Sequence, residues 1–177
     1  AVCVDNSRQD IPPISGDFTF FGGIYRDVWL TAVSKQHFHL TNYGSEGIFI
    51  STPKVSEEKG TILIRGDIKN DATQKALLEL EHIIYHPNGS IAQSLKQSIQ
   101  IKAGEQYSFR SETSPILSPQ LWTPETPHLY RVESILRDKK TKTVLDQSNH
   151  YTGFRWFSFD GERGFSLNGK PYKLRGI

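Results

Sequence analysis

The stretch TILIRGDI, residues 61–68, decides the fold class of this chain. Its apolar residues alternate, so that Ile62, Ile64 and Ile68 fall on one side of an extended backbone and charged residues fall on the other. Alternation with a period of two residues is the pattern of a β-strand that buries one face. The stretch therefore predicts a strand that contributes one face to a hydrophobic core.

The same alternation recurs in the next segment of the chain. Leu78 and Leu80 alternate with Glu79 and Glu81, and the tetrapeptide PNGS at 87–90 then interrupts the run. Asn-Gly between two apolar strands is a strong hairpin signal, because both residues tolerate positive φ. We therefore predict a tight β-hairpin centred on this tetrapeptide.

Strand-like segments fill most of the remaining chain, and Gly and Pro separate them. They lie at 37–42, 48–52, 90–101, 106–112, 130–137, 143–151 and 154–159. No segment of ten or more residues shows a helical period. Many short strands with frequent turn signals are typical of an antiparallel sandwich. We predict an all-β protein, an immunoglobulin-like antiparallel β-sandwich with flanking stubs of neighbouring domains.

Composition excludes several classes of partner. The chain has 177 residues and a net charge of +2, which is too balanced for nucleic-acid binding. No apolar run approaches the roughly 18 residues of a membrane span. Cys3 is the single cysteine, so no internal disulfide can form. A strand-like start at residue 1 predicts a segment of a longer chain. The compartment stays open, with a periplasmic or secreted location favoured over a cytoplasmic one.

Motifs at both ends and in the middle of the chain resemble glycoside hydrolase family 2. Residues 17–28, DFTFFGGIYRDV, are similar to the end of the family's N-terminal jelly-roll domain. Residues 121–130, LWTPETPHLY, resemble a motif late in its sandwich domain. GFR at 153–155, FSLNGKP at 165–171 and LRGI at 174–177 resemble the run into its catalytic barrel. Among the family's β-galactosidases, β-glucuronidases and β-mannosidases, the form GGIYRDV looks most like the β-galactosidase branch.

The resemblance implies a layout and an activity. Residues 1–33 would be the last strands of a sugar-binding jelly roll, 34–152 the sandwich, and 153–177 a linker and the start of a (β/α)₈ barrel. The parent would hydrolyse β-glycosides with retention, through two glutamates on barrel strands. A barrel takes about 250 residues, so both glutamates would lie outside this chain. We expect a catalytically inactive scaffold region of a β-galactosidase-like enzyme.

The chain offers few candidate site residues of its own. The resemblance implies that Asp17 binds sugar hydroxyls in the parent, and a turn role after Ser15 and Gly16 is the rival interpretation. Glu79 and Glu81 share a strand face about 6.5 Å apart. A solvent face provides no sugar pocket and nothing to raise one pKa, so we predict no catalytic residue in this chain.

Histidine pairs do not predict a metal site. His37 and His39 share a strand face, but no third ligand is evident, and zinc takes three or four. We therefore expect no metal and no cofactor in this segment. The resemblance implies Mg²⁺ or Na⁺ in the parent, held mainly by residues outside these segments.

The expected partners are a β-linked carbohydrate, through the parent, and the jelly-roll and barrel domains of the same chain. Residues 17–31 are aromatic and separated from their home sheet, so we expect them to pair with the sandwich edge or with a second copy, giving a dimer. A carbohydrate-binding or adhesive module is the alternative function. Trp29, Trp122 and Trp156 would then stack on sugar rings.

Overall fold

The computed structural model describes residues 23–24, 27–40 and 45–174. The chain divides into two units, Ala1–Ala32 and Val33–Ile177, and each is described by itself. In the first unit the described side chains are exposed, and Leu30 is 100% exposed. The segment 17–31, predicted to form a dimer, lies partly outside the described residues. Asp17 lies outside them.

The described residues form twelve β-strands and no α-helix, as the alternation predicts. The strands are β1 (Gln36–Phe38), β2 (Ile48–Val55), β3 (Lys59–Asn70), β4 (Ala76–Tyr85), β5 (Ile91–Ile101), β6 (Gln106–Glu112), β7 (Ile116–Leu117), β8 (Tyr130–Asp138), β9 (Val144–Thr152), β10 (Phe157–Asp160), β11 (Gly164–Leu167) and β12 (Lys170–Pro171). None of the described segments is a helix that could cross a membrane.

Two antiparallel sheets form the sandwich. In the five-stranded sheet, β3 is central and pairs with β1, β2, β6 and β7. The four-stranded sheet has the order β5-β4-β8-β9. The predicted immunoglobulin-like antiparallel sandwich is confirmed. The hairpin predicted at 87–90 joins β4 to β5, where Gly89 has a φ of 86° and the His86 amide donates to the Ser90 carbonyl at 2.8 Å.

The core lies between the inner faces of these two sheets. Ile62, Ile64 and Ile68 on β3 are fully buried, as their alternation predicts. The other large buried side chains come from several strands: Phe38, Leu78, Leu80, Ile84, Phe109, Tyr130, Val132, Leu136 and Phe154. Complete burial of each apolar side chain contributes about 1.5–3 kcal/mol before entropy costs. The sandwich is therefore held by its own core.

The third sheet, β10-β11-β12, follows the sandwich and is the main feature that the strand pattern missed. The predicted strand at 154–159 begins at Phe157, and the predicted linker contains β11 and β12. Asp160 closes the first turn, because its carboxylate accepts hydrogen bonds from the amides of Glu162 (2.9 Å) and Arg163 (2.8 Å). Asn168 and Gly169 close the second turn with φ values of 51° and 75°, the signs of a type I′ turn.

Candidate functional site at the Trp122 junction

Asn168 joins the third sheet to the sandwich. Its side-chain amide donates to the Trp122 carbonyl at 3.0 Å, and its side-chain oxygen accepts from the Trp156 amide at 3.1 Å. Its own backbone amide donates to the Trp156 carbonyl at 2.9 Å. Asn168 is 7% exposed. Because both ends of a buried amide are used, its orientation is fixed, and the third sheet is held in one place.

Tight packing surrounds Trp122, and we call Trp122, Gly153, Phe154, Trp156 and Asn168 the Trp122 junction. A Cβ added at Gly153 would lie 2.6 Å from the Cβ of Trp122, so only glycine fits there. The Trp122 amide donates to the Phe154 carbonyl at 2.8 Å. The junction therefore depends on close backbone approach as well as on hydrogen bonds.

Phe154 anchors this junction in the sandwich core. Its side chain is fully buried and meets Tyr130 edge-on, with ring centroids 4.8 Å apart. A Cβ added at Gly60 would lie 2.6 Å from the Phe154 ring. The Tyr130 hydroxyl accepts a hydrogen bond from the Gln120 amide at 3.1 Å, which ties the loop before Trp122 to the same ring. A shift at the junction would therefore disturb the core.

Of the three tryptophans considered as sugar platforms, two are half-buried and one is exposed. Trp122 is half-buried, and the guanidinium carbon of Arg155 lies 4.5 Å from its ring centroid, which is cation–π geometry. Trp156 is also half-buried. Trp29, in the first unit, is 83% exposed. One face of the Trp122 ring is therefore covered by Arg155 of the same chain.

A cleft of about 560 Å³ opens beside the junction. Its lining includes Glu57, His128, Lys170 and Tyr172, and the Tyr172 hydroxyl donates to Glu125 at 3.1 Å across it. The pKa of Glu125 is lowered, first by a hydrogen bond from its own backbone amide and also by Tyr172 and Thr123. A carboxyl group with a lowered pKa is ionised at neutral pH and cannot serve as a general acid there.

The carboxylates considered as a catalytic pair lie on the outer face of the four-stranded sheet. Glu79 accepts a hydrogen bond from Lys142 at 2.9 Å, which lowers its pKa. Glu81 pairs with Arg137 at 2.9 Å and with Lys96 at 3.1 Å. A retaining glycosidase needs one carboxylic acid with a raised pKa. The hydrogen bond from Lys142 to Glu79 favours the ionised form of that carboxyl group instead.

The same direction holds for every described carboxyl group whose pKa departs from its ordinary value. The pKa values of Glu79, Glu125, Asp138 and Asp160 are all lowered. Hydrogen bonds to the Asp138 carboxylate, first from the Thr141 amide, and to Asp160, first from the Arg163 amide, cause the latter two shifts. These carboxylates stabilise turns and ion pairs.

The histidines considered for metal binding do not converge. The Nδ1 atom of His37 lies 2.9 Å from the Ser34 carbonyl oxygen, and its Nε2 lies 3.9 Å from a carboxylate oxygen of Asp71. Within the described part of the chain no three His, Cys, Asp or Glu residues group as metal ligands would. The metal ions implied for the parent stay a prediction.

The sequence did not predict three features of the core and the junction. His82 is 1% exposed in the core, its Nδ1 lies 2.8 Å from the Ser134 hydroxyl, and burial lowers its pKa to about 4. Its even position after Leu78 and Leu80 was a signal for inward orientation. Asn168-Gly169 carries the same hairpin signal as residues 88–89, within a segment expected to be a linker. Nothing local marks the need for glycine at Gly153.

Comparisons with known proteins identify the family. The sequence model of glycosyl hydrolases family 2 matches residues 46–155, which is more than half of the chain. The chain belongs to this family, as the three motifs indicated.

Its relatives carry two kinds of name. The crystal structure of Bacteroides uniformis β-glucuronidase matches with 72% identity and a TM-score of 0.93, over 98% of this chain and 21% of that chain. A β-glucuronidase of Bacteroides fragilis is 30% identical over 181 residues, 99% of this chain and 25% of the relative. The β-galactosidase BoGH2A of Bacteroides ovatus is 28% identical over 178 residues, 100% of this chain and 19% of the relative. The chain thus spans a fifth to a quarter of these relatives.

Proposed function

We propose that this chain is the non-catalytic supporting region of a retaining β-glycosidase and that its function is to hold neighbouring domains in register. The observation that carries this proposal is the pair of side-chain hydrogen bonds of Asn168, which we call the Asn168 clamp: one to Trp122 attaches the small sheet to the sandwich, and one to Trp156 fixes the start of β10. Positioning matters for catalysis, because a displacement of about 1 Å can cost about 100-fold in rate. The partners in this proposal are the jelly-roll and barrel domains of the same chain.

The carboxylates support the proposal that this region is itself inactive. Glu79 and Glu81 are paired with cations, and the Glu125 pKa is lowered. Hydrolysis with retention needs a nucleophilic carboxylate and a protonated acid about 5–5.5 Å apart. In this proposal both groups belong to the barrel of the parent.

For the sugar, we propose a β-glucuronide. The sequence favours the β-galactosidase branch through GGIYRDV, while the match at 72% identity is named a β-glucuronidase and the β-galactosidase BoGH2A matches at 28%. The higher identity supports the glucuronide. A β-galactoside is the competing substrate in the same test.

The experiment is hydrolysis of an aryl β-glycoside panel (glucuronide, galactoside, mannoside and glucoside) by the full-length parent and by the 177-residue chain. We expect only the full-length parent to hydrolyse these glycosides, and we expect it to prefer the glucuronide. Glu79→Gln and Glu81→Gln in the parent serve as matched variants and should leave the rate unchanged. Turnover by the 177-residue chain that one of these substitutions abolishes would overturn the proposal.

Two further parts of the proposal concern the parent. We propose that Asp17 binds sugar hydroxyls there, so that Asp17→Asn raises KM while the unfolding temperature stays the same. We also propose a bound cation, Mg²⁺ or Na⁺. A calcium-binding mutant of the Bacteroides uniformis enzyme is among the solved relatives, so Ca²⁺ belongs in the same metal-removal experiment. Activity that survives chelation and desalting would remove the cation from the proposal.

A further inference from the structure

The third sheet presents a cluster of aromatic rings to solvent. Phe157 is 62% exposed and Phe159 is 72% exposed. Phe165 lies 6.2 Å from Phe157 and 5.1 Å from Phe159 between ring centroids, and Tyr172 lies 6.3 Å from Phe165. We call these four residues the aromatic face.

Strand register explains why these rings gather on one side. Phe157 is paired with Leu167, and Phe159 with Phe165, so their side chains share a face of the β10–β11 hairpin. Ser158 is paired with Ser166 and occupies the opposite face. The sheet therefore has an aromatic side and a hydroxyl side, which is the pattern of an antiparallel sheet that packs on one side only.

The attachment of the sheet to the sandwich fixes the position of the aromatic face. A small hairpin alone is marginally stable in water, yet here Asn168 attaches the sheet to the sandwich and Leu167 is only 8% exposed. Leu167 is paired with Phe157 and shares its side of the sheet, so this side is buried at Leu167 and exposed at Phe157 and Phe159. A fixed, contiguous apolar patch on a soluble protein is typical of an interaction site.

Polar groups border this patch. Asp160, Glu162 and Arg163 in the first turn are exposed, and Lys170 lies at the other end of the sheet. An apolar centre with a charged rim is the usual anatomy of a protein–protein contact. A stacked sugar would need one accessible ring plane with hydrogen-bonding groups around it, whereas these rings are tilted against each other by 31° to 81°.

The length of the relatives favours a domain of the same polypeptide as the occupant of this face. The relatives are four to five times longer than the matched segment, since it covers 19% to 25% of their length. In the proposed parent the chain leaves β12 at Pro171 and passes through Tyr172, itself part of the face, into the barrel. Each further residue adds at most about 3.6 Å of reach. A tethered domain acts at an effective concentration near the millimolar range, far above that of a second copy.

We propose that the aromatic face is the docking surface for the catalytic domain of the same polypeptide. This inference rests on the proposed function, because that function supplies the domain. The Asn168 clamp orients the face, and the face then orients the barrel, so the two features act in series.

Hydroxyl-radical footprinting with mass spectrometry tests this directly on the full-length protein and on the 177-residue chain. We expect Phe157 and Phe159 to be oxidised readily in the short chain and to fall to the level of buried Phe154 in the full-length protein. Equal oxidation in both proteins would overturn the inference. Protection in the short chain that rises with its concentration would also overturn it, because a second copy would then be the occupant.

A pair of neighbouring variants in the full-length protein supplies the second test. Phe159→Ser should lower the unfolding temperature of the full-length protein, while Ser158→Ala, on the opposite side of the same strand, should not. Both should leave the unfolding of the 177-residue chain unchanged. An unaltered unfolding temperature for full-length Phe159→Ser would contradict docking.

The two proposals fail in different ways. A full-length protein that hydrolyses β-glycosides while Phe157 and Phe159 remain oxidisable would overturn the docking surface alone. Protected rings in a protein that hydrolyses no member of the glycoside panel would overturn the proposed activity alone.

Discussion

Phe154 and Phe157 are the same residue type three positions apart, yet they lie in opposite environments. Phe154 is fully buried against Tyr130, whereas Phe157 is 62% exposed on the third sheet. The Phe154 ring is part of the sandwich core, whereas the Phe157 ring and its neighbour Phe159 are open to solvent. The change from a buried to an exposed aromatic residue therefore takes place within three positions of the chain, next to the Trp122 junction.

Polar groups show the same division. Inside the sandwich, the buried Asn70 side chain donates to the carbonyls of Gln74 (2.9 Å) and Lys102 (3.0 Å) and accepts from Gln36 (2.8 Å). In the third sheet, the one described polar side chain that is buried is Asn168, and its bonds go to residues of the junction. The sandwich uses buried polar groups for its own closure, and the third sheet uses one for attachment.

The largest expected effect is the difference in lost stability when each of the two phenylalanines is replaced by alanine. Phe154→Ala should destabilise the 177-residue chain by about 3–5 kcal/mol, because it removes a buried ring and leaves a cavity. Phe157→Ala should change the free energy of unfolding by about 0.5 kcal/mol or less, because its ring is exposed. Urea unfolding measures both. Equal losses would mean that the third sheet shares the sandwich core.

A somewhat smaller effect concerns His82, which tests how closed the sandwich is. Its folded pKa is about 4 against an ordinary 6.5, because burial disfavours the charged ring. As the pH falls, the unfolded chain therefore takes up a proton on His82 before the folded chain does. The contribution of neutral His82 to stability is complete above pH 6.5 and is lost as the pH falls towards 4. The loss should reach about 3 kcal/mol.

Urea unfolding as a function of pH measures this loss. His82→Gln should flatten the dependence between pH 6.5 and 4. His128→Gln, at the cleft, is the control for the substitution itself. A wild-type protein with constant stability across this interval would show that water reaches His82.

The smallest of the three effects is the loss of stability expected from a substitution in the Trp122 junction itself. Gly153→Ala places a Cβ 2.6 Å from the Cβ of Trp122 and should cost about 1–3 kcal/mol by overpacking. Gly161→Ala is the matched control, because a Cβ there meets nothing within 4 Å. Thermal unfolding of the two variants makes the measurement. Similar midpoints would show that the junction yields without cost.

Much of the sandwich could be predicted from its alternation. Ile62, Ile64 and Ile68 lie where a period of two residues places them, and Asn88-Gly89 closes the predicted hairpin. These features are local, because burial on one face and positive φ leave a trace in neighbouring residues. The even register of β4 also places His82 in the core.

The junction is different, because its contacts join distant residues. Asn168 bonds to Trp122 across 46 positions, and the requirement for Gly153 comes from the approach of Trp122. Alternation at Phe157 and Phe159 predicts a strand but does not tell which side another domain would cover. The exposed face appears only once the sheet is attached to the sandwich.

The most direct test of the supporting role is the kcat of full-length enzyme carrying Gly153→Ala, compared with Gly161→Ala and wild type on the preferred aryl β-glycoside. If the junction sets domain register, Gly153→Ala should lower kcat by roughly 10- to 100-fold at a temperature where the enzyme stays folded, and Gly161→Ala should match wild type. Wild-type kcat in folded Gly153→Ala enzyme would contradict the account, because the junction could then shift without consequence for catalysis.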